Sequence, residues 1–193
     1  MNYTDTHRDV IAAFQSACNW NYEVRCALRA MCGYKYEKID FHMYRVIMSM
    51  KEYWMLQVSK LFDAKFTFND PAKTNLVLAY VIEEIPWPET VRDRLSALRS
   101  QMEFFSGQLK DSRNKVIAHQ DLVVHTKHSG KWFGTFSMQD EERFYQFLLE
   151  FLNLVQAEIN GSPPLEWPHF AEGDGQEFMK ALEIGGYAVA DDA

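Results

Sequence analysis

The chain has 193 residues, a formal net charge of −7 and a 47% hydrophobic composition. A chain of this length and composition can bury a sizeable core and is too apolar to be disordered. It has no uninterrupted apolar run near the roughly 18 residues of a membrane span, and its polar start, Met1 to Asp9, has neither a secretory nor a transit-peptide pattern. The three cysteines make no metal-type pair pattern, so we expect reduced thiols in a cytoplasmic protein that does not bind membranes.

The charge is unevenly distributed along the chain. Residues 161–193 contain seven acidic residues and one basic residue, which gives this segment a charge of −6. Residues 88–131 contain eight basic and five acidic residues. Because phosphates attract clustered Lys and Arg, this second zone is compatible with RNA even though the whole chain is acidic. We therefore predict a helical domain over residues 1–160 and an acidic C-terminal tail over residues 161–193.

Apolar periodicity predicts two long helices in the first third of the chain. The first runs from about Thr6 to Met31, with Thr6 and Asp9 as a capping pair and Gly33 at its end. Asn21 interrupts its apolar stripe, and a buried amide is favoured over a partner-selecting residue. The second helix, from Asp40 to about Phe62, is apolar around most of its circumference. Such a helix is expected at the centre of a bundle or against a second subunit.

A short helix and a long helix follow. Asp70 and Pro71 have the residue types of a helix start, and Pro86-Trp87-Pro88 ends the short third helix. The fourth helix is predicted from about Glu89 to the neighbourhood of His119. Its apolar residues alternate at spacings of four and three, which marks one helix face. This seam consists of Val91, Leu95, Leu98, Met102, Phe105 and Leu109.

Beyond Asp121 the pattern changes. Residues 122–136 carry β-branched and aromatic residues around a Gly-containing turn, which predicts a short hairpin or an ordered loop. Ser137 and Asp140 are typical of a cap for a fifth helix that ends near Ile159, and the tail has a short helical pattern from Gln176 to Ile184. The fold class is therefore all-α, a bundle of about five helices with a short insertion near residues 122–136.

The stretch from Arg113 to His119 carries the candidate chemistry. The seam of the fourth helix continues through Ser112 and Val116 to His119, so this histidine occupies a position that otherwise asks for an apolar residue. On a regular helix Arg113 and His119 project about 120° apart. They can converge if the helix loosens, or if two copies pack across a two-fold axis. The seam position of His119 favours the second route, so we predict a homodimer through this helix.

Residues Asp111 to Asp121, Asp-Ser-Arg-Asn-Lys-Val-Ile-Ala-His-Gln-Asp, resemble the signature of HEPN domains. In that family an Arg, a following polar residue and a His four to six residues further on lie at a dimer cleft. The chain is most similar to the abortive-infection, AbiU-type branch, also around Ser59 to Asp63 downstream of a long apolar helix. The resemblance covers about Thr6 to Asn160 and implies a HEPN-like helical bundle.

The resemblance also implies an activity, a metal-independent endoribonuclease of the toxin or abortive-infection type that uses no cofactor. Its partners would be RNA, a second copy of the chain and an antitoxin protein. His119 would relay a proton, Arg113 would bind the phosphoryl oxygens, and Asn114 would orient either group. Lys110 and Lys115 would hold the RNA backbone.

Several alternatives stay open at this stage. The same cleft would serve a non-catalytic HEPN-like module that binds RNA or a partner protein, or a dimer in which Arg113 and His119 only stabilise the interface. His125 and His128 make a poor zinc signature, so no metal site is expected. Asp121 stands where nucleotidylated members carry a Tyr, which excludes that form of control. A further hypothesis is that the acidic tail covers the cleft as an RNA mimic.

Overall fold

The fold was examined in a computed structural model that describes residues 3–33, 36–39, 41–112, 136–167, 171–186 and 188–190. Within these ranges the fold is all-α, as predicted, with six helices where about five were expected. The helices are α1 (Asp5–Gly33), α2 (Phe41–Lys60), α3 (Leu78–Glu84), α4 (Glu89–Ser112), α5 (Met138–Asn160) and α6 (Ala171–Ile184). A 3-10 turn, Thr67–Asn69, lies between α2 and α3. The predicted hairpin or loop near residues 122–136 lies outside the described residues, except for its last residue, Phe136.

Two short strands were not predicted. β1 (Tyr36–Ile39) and β2 (Ala188–Ala190) pair in antiparallel fashion, with Lys38 opposite Val189 and Ile39 opposite Ala188. A four-residue strand whose partner is about 150 residues away leaves little trace in local periodicity. The strand pair is a small addition to a helical fold. In the chain, β1 lies between α1 and α2, and β2 follows α6.

The first helix begins earlier than predicted because its cap is Thr4. The Thr4 hydroxyl accepts a hydrogen bond from the His7 backbone N–H at 3.3 Å, and Nδ1 of His7 accepts one from the Thr4 N–H at 3.3 Å. This is the reciprocal arrangement of a capping box, with His where Glu or Gln is usual. The predicted pair, Thr6 and Asp9, is therefore wrong as the cap, since both residues lie within the helix.

The start of α3 was also misplaced. Asp70 and Pro71 were predicted to open the helix, but the helix begins at Leu78 and its N-cap is Val77. The Asp70 carboxylate instead accepts a hydrogen bond from the Ala72 N–H at 3.0 Å, which closes a local turn. Asp and Pro favour turns for the same reasons that they favour helix starts, so the local pattern did not separate the two.

By contacts between residues, the described chain divides into two compact units. The first comprises residues 1–18 and 55–166, and the second comprises residues 19–54 and 167–193. The boundary predicted at residue 160 stays a prediction.

The first unit contains the antiparallel pair α4 and α5, which pack along each other. The predicted seam of α4 is confirmed, because all six of its residues are buried. The facing positions of α5 are equally well buried, and they are Phe144, Tyr145, Leu148, Phe151, Leu152, Val155 and Ile159. The Arg8 guanidinium of α1 donates to the Ile159 carbonyl at 3.1 Å and to Asn160 Oδ1 at 2.8 Å. It thereby supplies a hydrogen-bond donor to one of the last carbonyls of α5, which have no partner within the helix.

The second unit contains the later part of α1, most of α2, and α6. Gly175 of α6 lies so close to α1 that an added Cβ would be 2.7 Å from Ala30 Cβ and 2.8 Å from the Ala27 carbonyl oxygen. Trp167 stacks on Tyr22 of α1, with ring centroids 4.4 Å apart. Asn21 is buried, in accord with the favoured interpretation of a core amide.

The first turns of α2 do not follow the prediction of a helix buried on all sides. Phe41 is 61% exposed, Tyr44 is 46% exposed and Val46 is 41% exposed within the single chain. The buried face is narrower and passes through Ile47 and Trp54. This half of α2 is therefore not at the centre of a bundle within one chain, and the alternative, a position against a second subunit, stays a prediction.

Candidate functional site

The site predicted from the sequence begins where α4 ends. The seam residue Leu109 is fully buried, and Lys110 beside it is exposed in the last turn of the helix. A basic side chain at this end complements the partial negative charge of the helix C-terminus, so Lys110 has a structural role besides the predicted contact with RNA. Ser112 is the last described residue of α4, and Arg113 follows it directly in the chain.

The central residues of the predicted site lie outside the described residues. These are Arg113, Asn114, Lys115 and His119, together with Asp121 and the two histidines of the 122–136 segment. Their mutual distances therefore remain predictions. The structure does define the two helices that flank residues 113–135 in the chain, α4 before them and α5 after them.

The far end of this segment is packed back onto α4. Phe136 contacts Phe105 edge to face, with ring centroids 5.0 Å apart and an interplanar angle of 78°. Phe105 in turn contacts Phe144 of α5, with centroids 5.1 Å apart. Since Phe105 lies about two turns before Ser112, the described residues on both sides of 113–135 lie at the same end of the α4 and α5 pair.

The predicted capping box at the start of α5 is confirmed. The Ser137 hydroxyl accepts a hydrogen bond from the Asp140 N–H at 3.0 Å, and the Asp140 carboxylate accepts one from the Ser137 N–H at 3.3 Å. The other end of α5 is closed by Gly161, whose φ of 60° is the left-handed conformation of a glycine C-cap. The segment that carries the candidate chemistry therefore joins a helix whose first residue is fixed.

Two cavities lie side by side in the groove between α4 and α5. The first has a volume of about 290 Å³ and lies between Gln101 and Phe104 of α4 and Arg143 and Phe147 of α5. The second has a volume of about 490 Å³ and is lined by Arg94 of α4 and by Glu150 of α5, among others. Gln101 lines both cavities. They form one continuous surface feature, which we call the α4/α5 groove.

Sequence reasoning did not find this groove. Phe104 lies on the rim of the groove and is 65% exposed, whereas the next residue in the chain, Phe105, is buried. The signal was present in the helical repeat, because Arg94, Ala97, Gln101 and Phe104 recur at spacings of three and four on a second face of α4. The sequence prediction considered the apolar seam of α4, which is the buried face, and not this second face.

Titratable groups elsewhere in the first unit have structural explanations. The Tyr3 hydroxyl donates a hydrogen bond to Glu158 at 3.2 Å, and burial together with this carboxylate raises the pKa of Tyr3 to about 12. Burial raises the pKa of the Cys18 thiol. The Lys65 ammonium contacts Glu83 at 2.7 Å and Glu84 at 2.6 Å, and these two carboxylates raise the pKa of Lys65.

In the described part of the chain, no group of three or more His, Cys, Asp or Glu side chains has the arrangement needed to hold a metal ion. No helix in the same ranges is both long and apolar enough to cross a membrane.

The class of protein follows from the fold and from the residues that come after α4 in the sequence. An all-α bundle in which a long amphipathic helix leads into Arg113, Asn114 and His119 is a HEPN-type domain. The chain belongs to the AbiU2 family of HEPN proteins, because the family profile HEPN_AbiU2 matches residues 7–178. No curated protein and no solved structure matches the chain. The family match covers all the predicted site residues and identifies an abortive-infection protein of HEPN type.

Proposed function

We propose that the protein is a metal-independent endoribonuclease whose site comprises Arg113, Asn114 and His119. The observation that supports this most is the confirmed seam of α4 from Val91 to Leu109, on a helix whose last described residue, Ser112, directly precedes Arg113. The family match over residues 7–178 adds to it, since the matched range includes these three residues.

The proposed reaction uses a nucleophile that the RNA itself supplies. His119 accepts the proton of a ribose 2′-hydroxyl, and the resulting oxygen attacks the adjacent phosphorus. The bond from phosphorus to the 5′-oxygen breaks, and that oxygen takes a proton and leaves as a hydroxyl. The products are a 2′,3′-cyclic phosphate and a 5′-hydroxyl end, so no water enters the cleavage step.

The other side chains stabilise charge and position the phosphate. Arg113 donates two parallel hydrogen bonds to the phosphoryl oxygens as negative charge builds on them. Asn114 orients the phosphate or the imidazole without adding charge. Lys110, which is exposed at the end of α4, and Lys115 hold neighbouring phosphates and contribute affinity without sequence preference.

In this proposal the functional unit is a homodimer. On a regular helix Arg113 and His119 diverge by about 120°, so one chain converges them poorly. In a cleft shared by two chains, the His119 of one subunit acts as base while the partner's His119 supplies the proton to the leaving oxygen. The site is then complete only in the dimer.

The test is cleavage of a synthetic RNA by the purified protein in the presence of EDTA. We expect cyclic-phosphate products, and a loss of at least about 100-fold in rate for His119→Ala, because general acid–base catalysis contributes this much or more. His128→Ala is the matched control and should retain activity. A 2′-deoxy substitution at the cleaved nucleotide should block cutting. Cleavage that persists in folded His119→Ala would refute the proposal.

A second candidate function is a non-catalytic module that binds RNA or a partner protein. The observation that favours it is the exposed aromatic surface of the second unit, where Trp20 is 54% exposed and donates to the Tyr53 hydroxyl at 3.2 Å. Exposed aromatic clusters are typical of interaction surfaces. Binding of RNA with steep salt dependence and without cleavage would support this candidate instead.

A further inference from the structure

We propose that Tyr22, Arg25 and Arg29 of α1 form a binding site for one nucleotide of single-stranded RNA, and that Trp167 holds the place of its base in the structure. We call these three residues the α1 stacking site. The inference deepens the proposed function, on which it rests only for RNA as the ligand. The α1 stacking site lies in the second unit and is distant in sequence from the predicted site at Arg113 to His119.

The rings of Trp167 and Tyr22 lie face to face. Their centroids are 4.4 Å apart and their planes differ by 8°. Rings in the core of the first unit pack differently, since Phe144 meets Phe105 at 36° and Tyr145 at 89°. A parallel stack is the geometry in which RNA bases bind aromatic side chains. The indole is a planar two-ring system like a purine, so Trp167 lies where a stacked base would lie.

Two cations follow Tyr22 on the same face of α1. Residues three and seven positions further along a regular helix point within about 60° of the first one, and here these residues are Arg25 and Arg29. The guanidinium carbon of Arg25 is 5.5 Å from the centre of the Tyr22 ring. An arginine beside a stacking ring adds cation–π attraction for the base and charge for its phosphate. The α1 stacking site therefore offers a surface for the base and cations for the backbone.

The stack lies at the surface of the second unit. Tyr22 and Trp167 are both half-buried, whereas Val24 and Leu28, on the other side of α1, are buried and fix the helix. A base can therefore reach the Tyr22 ring by displacing one side chain, without a change in the packing of α1.

The chain on each side of Trp167 is attached to a helix. Before it, Leu165 exchanges two hydrogen bonds with the side-chain amide of Asn153. After it, α6 packs closely on α1, because a Cβ added to Gly175 would be 2.8 Å from the Ala27 carbonyl oxygen. The indole can therefore leave Tyr22 while both attachments stay in place.

The charge of the C-terminal segment acts in the same direction as the indole. Residues 167–193 contain six acidic residues and one basic residue. Negative charge in this unit lowers the local concentration of RNA phosphates. The indole stands in for a base and the acidic residues stand in for phosphates. In this inference the RNA mimic predicted from the sequence covers the α1 stacking site and not the cleft.

The experiment measures the affinity of a short fluorescein-labelled oligoadenylate by fluorescence anisotropy, in a His119→Ala background that prevents cleavage. We expect Trp167→Ala to raise the affinity by about two- to twelvefold, because the base no longer competes with an aromatic pair that contributes this factor. Trp167→Phe restores a ring over Tyr22 and should bring the affinity back toward that of the background protein.

Three further variants, each added to Trp167→Ala, test the residues of the site. Tyr22→Ala should lower the affinity at least about fivefold, the lower end of what one stacked base contributes. Arg29→Gln should reduce the slope of log affinity against log salt by about 0.7, the value for one phosphate contact on a single strand. Tyr80→Ala is the matched control and should change neither quantity, because Tyr80 is also half-buried but belongs to α3 of the first unit. Circular dichroism shows whether each variant is folded.

Fluorine NMR tests the displacement of the indole with the stack intact. In protein labelled with fluorotryptophan, the Trp167 resonance is assigned by its loss in Trp167→Phe, and it should shift when the oligoadenylate is added. Trp87 is 2% exposed and donates a hydrogen bond to the Val81 carbonyl at 2.7 Å, so its resonance should stay in place.

Several results would contradict the inference. An unchanged affinity in folded Trp167→Ala, an equal gain in Trp167→Phe, or a Trp167 resonance that stays fixed at saturating RNA would each overturn it. A loss in Tyr80→Ala as large as in Tyr22→Ala would overturn it as well, because the effect would then not belong to α1.

The outcomes for this site and for the reaction are separable, because none of these measurements records cleavage. Cutting of RNA that depends on His119, with an affinity that does not respond to Tyr22 or Trp167, leaves the endoribonuclease standing and removes this inference. Binding that depends on Tyr22 in a protein that never cuts RNA leaves this inference standing and removes the endoribonuclease.

Discussion

The ring of Phe136 meets the ring of Phe105 edge to face, with centroids 5.0 Å apart. This contact fixes the residue that follows the 113–135 segment against the last turns of the helix that precedes it. Phe105 is also a member of the buried α4 seam, so one side chain supports the helix and receives the returning chain. The described residues next to the 113–135 segment are therefore both attached to α4: Ser112 is its last described residue and Phe136 packs on it.

We predict that Phe136→Ala loosens this attachment. The ring is partly buried, so its removal should lower the free energy of unfolding by about 1–2 kcal/mol, less than for a fully buried Phe. RNA cleavage should fall with it, because the site loses its fixed end. Urea denaturation and cleavage rates give the two readouts. Met138→Ala is the control, since Met138 is 66% exposed and its loss should change neither. An unchanged stability of Phe136→Ala would contradict the role of the aromatic contact.

Two glycines in helices should respond to alanine with opposite signs. Gly107 of α4 has no atom within 4 Å of the position of an added Cβ, so Gly107→Ala should stabilise the protein by about 1 kcal/mol through helix propensity. Gly175→Ala would bring a Cβ to 2.8 Å from the Ala27 carbonyl oxygen, and we expect a loss on the order of 1–3 kcal/mol. Urea midpoints of the two variants, measured against the wild type, check both signs. A Gly175→Ala variant at least as stable as the wild type would mean that the close approach of α6 to α1 is wrong.

The pKa of Tyr3 is raised from 10.0 to about 12, first by burial and then by the hydrogen bond and charge of Glu158. A raised pKa in the folded state contributes stability that is present below pH 10 and is lost as the pH rises toward 12. The difference in tyrosinate absorbance between the wild type and Tyr3→Phe should therefore titrate near the upper value. Glu158→Gln should lower it part of the way, because burial remains. A difference titration centred at 10 would exclude the contact.

The three thiols should differ in reactivity. Cys18 and Cys26 are buried and Cys32 is exposed. Burial raises the pKa of the Cys18 thiol, so little of the reactive thiolate forms at that position. We expect one thiol to react rapidly with Ellman's reagent in the native protein and three to react in denaturant. The Cys32→Ser variant should lose the rapid phase, whereas fast reaction of a second thiol would contradict the packing of α1.

The long helices could be predicted because their buried apolar residues recur at regular helical spacings. The α4 seam from Val91 to Leu109 is apolar at every expected position, and each of these residues is buried. The Ser137 cap and the Gly161 end of α5 can also be recognised from the sequence, since both depend on residues that are close in sequence. Local rules suffice where the structure is local.

Features that depend on distant residues could not be predicted. The strand pair joins Lys38 to Val189, and its signal is shared between segments too short to recognise alone. The α4/α5 groove depends on how two helices pack, and Phe104 reads in the sequence as one more aromatic residue. The site itself was predicted from a resemblance and from helical spacing, and its geometry at Arg113 to His119 stays a prediction.

The side-chain amide of Asn153 in α5 binds the backbone of Leu165, in the segment that follows this helix. Asn153 donates from Nδ2 to the Leu165 carbonyl at 3.3 Å and accepts from the Leu165 N–H through Oδ1, as a neighbouring strand would. The side chain must therefore be donor and acceptor at once. Deamidation of Asn153 would turn the donor into a second acceptor and set it against a carbonyl. Chemical ageing of a stored sample would release the segment around Leu165 from α5, at a position that also borders the groove.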